Sequence, residues 1–112
     1  MSPLLASPEP LYSTLAAEPD LAELVQLFVD ELPHRLQAIA HLVEREDYPA
    51  VARAVHQLKG AGGSYGFPAI TAVAMHLEYA AKSEAAHVQI SELWHELREV
   101  CGRCRAGTPG SL

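Results

Sequence analysis

The sequence is poor in the residues that build sheets, cross membranes or staple small folds. Aromatic residues make up 6% of its 112 positions. β-branched residues are scattered and no stretch alternates apolar with polar over several positions, so a fold of paired strands has no support. No apolar run approaches the ~18 residues that a membrane-spanning helix needs. The opening MSPLLASPEP lacks the basic start and long apolar centre of a secretion signal, and a cytoplasmic chain is expected. Only two cysteines occur, Cys101 and Cys104. That is too few for a disulfide scaffold, and with no strand pattern around them they read as reduced, structurally minor thiols. Basic residues are also short, 8 Lys and Arg against 14 Asp and Glu, for a net charge of -6 and a pI near 5.4. Charge-driven binding to nucleic acid or anionic lipid is thereby disfavoured.

What is present is enough apolar material, 49% of residues, for one cored domain. Ala, Leu and Glu dominate wherever the pattern is regular, which is helical composition. Residues 1–10 carry three prolines and read as a flexible arm, and Leu11 to Ala17 as a short helix ended by Glu18-Pro19. Asp20 reads as the N-cap of a long helix whose stripe is Leu21, Leu24, Val25, Phe28, Leu32, Leu36, Ile39 and Val43, kinked at Pro33. Tyr48-Pro49 opens a second helix with Val51, Val55, Leu58 and then Tyr65 on its buried side. After Gly66-Phe67-Pro68, a third stripe runs through Ile70, Val73, Ala74, Leu77 and Ala81 to a polar joint at Lys82-Ser83-Glu84. The last helix, Val88 to Cys104, repeats Ile90, Leu93, Leu97, Val100 and Cys104 at steps of three and four. The expected fold is all-α, an antiparallel four-helix bundle over residues 11–104 with a short extra N-terminal helix, followed by a flexible tail, 105–112.

One segment breaks the helical rules. His56 to Gly66 reads HQLKGAGGSYG and places Gly60, Gly62 and Gly63 inside a helical pattern. Each costs about 1 kcal/mol against Ala, so the local sequence favours bare backbone over helix propensity. On the face of His56 lie Ala52, Arg53, Lys59, Gly60 and Gly63, at helical spacings of three, four and seven. Val55 and Leu58 point elsewhere, which puts His56 at the edge of the buried stripe and within reach of solvent. An exposed imidazole beside cations, with a cleared approach, suits an anionic group added to a ring nitrogen and then stabilised there. This is phosphoryl-carrier chemistry.

The string His56-Gln57-Leu58-Lys59-Gly60-Ala61-Gly62-Gly63-Ser64-Tyr65-Gly66, with Leu77-Glu78 on the following helix, resembles the signature of histidine phosphotransfer (HPt) domains of multistep two-component phosphorelays. Helix order and loop positions extend the resemblance over roughly Leu11 to Arg103. It implies that His56 takes a phosphoryl group from a receiver-domain aspartate and passes it to another. Lys59 would steady the phosphoryl oxygens, and Arg53, Gly60 and Gly63 would belong to the docking surface. Many relatives carry a polar amide near the histidine on the next helix, where this chain offers Glu78 or His76. The implied partners are response-regulator receiver domains and a hybrid histidine kinase, met by a monomer. The implied cofactor requirement is none, with Mg²⁺ on the receiver. No phosphate-binding loop such as G-x-x-x-x-G-K-[ST] is present, so a carrier without ATP-dependent kinase activity is expected. The alternative is a helical adaptor that docks receivers without being phosphorylated.

Two metal-like strings compete. Glu31-x-x-His34 and Glu92-x-x-His95 have the spacing of dinuclear carboxylate bundles, but each histidine falls two residues beyond a core leucine and so about 200° from the seam. No metal site is expected. His34, His41, His76, His87 and His95 read as surface residues, and Tyr65 and Phe67 as packing.

Overall fold

A computed structural model describes residues 9–83 and 85–109. The first eight residues of the expected arm, Glu84 of the polar joint and the last three residues of the expected tail lie outside these. Four helices form the body: α1 (Ala22–Glu44), α2 (Tyr48–Ser64), α3 (Pro68–Lys82) and α4 (His87–Gly102). Two short strands flank them, β1 (Leu11–Tyr12) and β2 (Cys104–Arg105). The fold is an all-α four-helix bundle, as the sequence predicts.

Each helix buries one stripe. α1 contributes Val25, Phe28, Leu32, Ile39 and Val43, and runs through Pro33 without ending there. Leu24, expected inside, is exposed. The Asp47 carboxylate caps α2 by accepting from the Ala50 N–H at 3.3 Å, next to Pro49 in the first turn, where no backbone donor is needed. α2 then buries Val51, Ala52, Val55, Leu58 and Gly62 against α3, its most extensive neighbour. Burying a Val or Leu side chain stabilises by about 1.5–3 kcal/mol, so this seam fixes how α2 and α3 lie on one another. In α4 the inward place after Ile90 belongs to Trp94, and Leu93 is only half-buried. The indole is the larger apolar body, and the step from Ile90 to Trp94 is as helical as the step to Leu93.

The expected N-terminal helix is absent. Leu11 and Tyr12 instead pair in parallel with Cys104 and Arg105, and only isolated turns follow, Ala16 N–H to Ser13 O and Glu18 N–H to Leu15 O. The groups that a helix would pair internally are taken by distant partners. Leu11 N–H donates to Arg103 O at 2.8 Å and Thr14 N–H to Gly66 O at 2.9 Å. The buried Ser13 hydroxyl donates to Tyr65 O and accepts from Leu15 N–H. Asp20 does not cap α1: Leu21 holds that position with no side-chain bond, and Glu18 O accepts from Leu21 and Ala22. Cys104 follows α4 in β2, and Arg105, expected in the tail, pairs with Tyr12.

This clasp meets the α2–α3 turn at Gly66, whose φ is +82°. A Cβ there would stand 2.5 Å from Ser13 Oγ and 2.9 Å from Thr14 N, so both conformation and clearance call for glycine. Tyr65 and Phe67 on either side stack on Phe28 at 5.0 and 5.8 Å, the packing role expected of them.

Candidate functional site

His56 stands midway along α2 with its side chain 63% exposed. Opposite it, one turn from the end of α3, Glu78 is the carboxylate that the apolar seam draws in, only 6% exposed. Its two oxygens are fully engaged. Oε2 accepts from His56 Nδ1 and from Lys82 Nζ, each at 2.9 Å, and Oε1 accepts from Lys59 Nζ at 2.7 Å. The Lys59 and Lys82 ammoniums, with a smaller part from His56, hold the Glu78 carboxyl down at about 2 against the opposing pull of its burial. A buried charge is tolerated where its lone pairs are satisfied in this way.

The ionised carboxylate settles the chemistry of the ring. Glu78 can only accept, so His56 Nδ1 carries a proton and donates, which leaves Nε2 as the one ring nitrogen that can hold a free lone pair. A concavity of about 330 Å³ lies beside the ring, lined by Ala52, Arg53, His56, Gln57, Glu78 and Lys82. The arrangement presents one fixed nucleophilic nitrogen next to an open space edged by cations, which suits transfer of a dianionic group.

Of the residues singled out from sequence, His56 and Lys59 converge on Glu78, and Arg53 is exposed on the edge of the concavity. Between Glu78 and His76, the ring selects Glu78. His76 is exposed and two residues away, about 200° around α3. The three glycines separate by role. At Gly60 an added Cβ would meet nothing within 4 Å, and at Gly63 it would touch only Thr71 Oγ1 at 3.4 Å. At Gly62 it would stand 2.8 Å from Ile70 Cγ2, so this glycine serves the α2–α3 crossing. Sequence reasoning missed Lys82, although Glu78 and Lys82 form a plain i,i+4 pair, because Lys82 reads as the start of the polar joint after α3.

His34, His41, His76, His87 and His95 are all exposed, and His87 Nδ1 bonds the Tyr48 hydroxyl. Glu31, His34, Glu92 and His95 lie on outer faces, and among the described residues no group of three or more such ligands is placed to hold a metal. Cys101 and Cys104 are free and buried, and burial raises their thiols to about 12 and 11, far from a reactive thiolate.

The charge cluster has a pH signature. Because the Glu78 carboxyl sits lower in the fold than its ordinary 4.5, its contribution to stability is complete above about 4.5 and fades as pH falls toward 2. Glu78→Gln removes this ionisation. The melting temperature of the wild type is expected to fall between pH 6 and pH 2.5 by about 4–8 °C more than that of Glu78→Gln, the equivalent of about 1 kcal/mol for a domain of this size. Equal falls would show that the cluster adds nothing to the fold.

A comparison with protein-family models matches residues 23–107 to one described as Hpt domain. Neither the curated proteins nor the solved structures give a significant match. Among the described residues, no helix is long and apolar enough to cross a membrane.

Proposed function

Since this chain belongs to the Hpt domain family, whose members are phosphocarriers of phosphorelays and work with receiver domains and histidine kinases, we propose that His56 Nε2 accepts a phosphoryl group from a receiver aspartate and returns it to another. The observation that carries this is the single bond from Nδ1 to a buried, ionised carboxylate, on a ring whose other side is open. In the forward step the Nε2 lone pair attacks phosphorus in line, and the bond from phosphorus to the aspartyl oxygen breaks with its electron pair left on the aspartate. No proton has to leave, because Nδ1 already holds the only one. The positive charge that develops on the ring is met by Glu78 across a 2.9 Å hydrogen bond. Lys59, on the far oxygen of Glu78, fixes that carboxylate and adds positive charge to the neighbourhood.

Arg53, Gly60 and Gly63 belong in this reading to the surface that a receiver covers. The chain itself supplies no cofactor, Mg²⁺ being held on the receiver, and it acts as a carrier with no ATP-dependent step of its own. The test is incubation with phosphorylated receivers, followed by mapping of the acid-labile label. Label is expected on the peptide that contains His56. Label on any other histidine would overturn the assignment, and stable docking without label would establish the adaptor alternative.

A further inference from the structure

Glu78 Oε2 is shared between two donors. His56 Nδ1 from α2 and Lys82 Nζ from α3 each lie 2.9 Å from it, so the ammonium stands beside the imidazole. Lys59 holds the other oxygen at 2.7 Å and is largely covered, 28% exposed against 64% for Lys82. The concavity beside the ring is lined by Lys82 and Arg53, and Lys59 is not among its lining residues. Of the two lysines on Glu78, only Lys82 therefore faces the space that an added group would enter.

A phosphoryl group on the ring brings a charge of about -1.5 to -2 and three strong acceptor oxygens. Lys82 can turn toward it without orphaning the carboxylate, because Oε1 keeps Lys59 and Oε2 keeps the His56 Nδ1–H. We propose that Lys82 is a phosphoryl-binding residue, whose ammonium moves from Glu78 Oε2 to an oxygen of the phosphoryl group on His56 while Lys59 stays on Glu78 and holds the ring. The exchange trades a monoanion that retains two donors for a dianion that has none, which sets its direction. The inference rests on His56 as the phosphorylated residue and assigns direct contact to a lysine of α3.

The charged and titratable groups that line this space are Arg53 and His56 from α2 and Glu78 and Lys82 from α3, with Lys59 held behind them on Glu78 Oε1. Phosphoramidate, a small donor, loads an imidazole without a receiver: the ring nitrogen attacks phosphorus and ammonia leaves. The second ionisation of the resulting phosphoryl group is then followed by ³¹P NMR. An adjacent cation favours the dianion, so Lys82→Ala is expected to raise the midpoint by about 0.5–1 unit, and Lys59→Ala by clearly less. Lys82→Arg restores the wild-type midpoint. In a Glu78→Gln background Lys82→Ala still raises it, whereas a lysine that served only to hold Glu78 would have no further effect. An unchanged midpoint in Lys82→Ala, or a larger shift in Lys59→Ala, overturns the inference. Loading at His56 without any transfer from receivers would count against the relay and leave the Lys82 result standing. A wild-type chain unlabelled at His56 would overturn both.

Discussion

His56→Gln is expected to abolish phosphoryl acceptance from a receiver and to leave the melting temperature within about 3 °C of the wild type. Both halves follow from where the ring sits. Its side chain is 63% exposed and lies off the α2 stripe of Val51, Val55 and Leu58, so its loss removes little packing. Glu78 is not stranded, since Lys59 and Lys82 remain on its two oxygens and the glutamine amide can donate where Nδ1 did. The amide has no nucleophilic nitrogen, however, because its lone pair is delocalised into the carbonyl. The measurement pairs label transfer with a thermal melt on one preparation. Residual label at the wild-type rate would move the site elsewhere, and a large fall in melting would mean that His56 is part of the fold.

Gly60→Gln is expected to reduce transfer by about 100-fold or more, while the melting temperature holds or rises. An added Cβ at Gly60 meets nothing within 4 Å, and replacing an unconstrained helical glycine stabilises by about 0.4–1 kcal/mol. Gly60 lies one turn beyond His56 on the same face, where a receiver must bring its phosphorus to about 3–3.5 Å from Nε2, and misplacement by about 1 Å costs about 100-fold. Gly62 supplies the contrast. Gly62→Ala drives a methyl to 2.8 Å from the fully buried Ile70, so it should lower the melting temperature and affect transfer only as far as the fold loosens. The pair thus separates clearance for a partner from clearance for α3. Normal transfer by Gly60→Gln would remove the argument that its missing side chain serves docking.

The bundle was legible in the sequence because its information is local and periodic. The stripes of α2 and α3 fall on the buried residues, and Tyr48-Pro49 and Phe67-Pro68 mark where helices begin. The N-terminal segment was not legible for the opposite reason. Leu11 to Leu15 has helical composition, but its hydrogen bonds go to Arg103, Tyr65 and Gly66, partners more than fifty positions away that no local pattern announces. The site divides in the same way. His56, Lys59 and Gly60 stand on one helix face and follow from the spacing of a single segment. The choice between Glu78 and His76, the part played by Lys82 and the packing role of Gly62 depend on how α3 is rotated against α2. That rotation is set by side-chain packing across the two helices, which a one-dimensional reading does not contain.

The distribution of charge over the helices has a kinetic consequence. Between them α2 and α3 carry Arg53, Lys59 and Lys82 against Glu78 alone, a net +2, while the whole chain is at -6, so the remainder holds -8. The two helices that frame the histidine are therefore net positive within an acidic chain. On the proposed reading, a receiver with an acidic, Mg²⁺-binding pocket would be drawn during diffusion toward α2 and α3 and repelled by the acidic remainder of the chain. Orientation is thus partly accomplished before contact, and the search for a productive encounter covers a fraction of the surface. The same steering makes association sensitive to ionic strength, since at physiological salt such fields reach only about 8 Å from the surface.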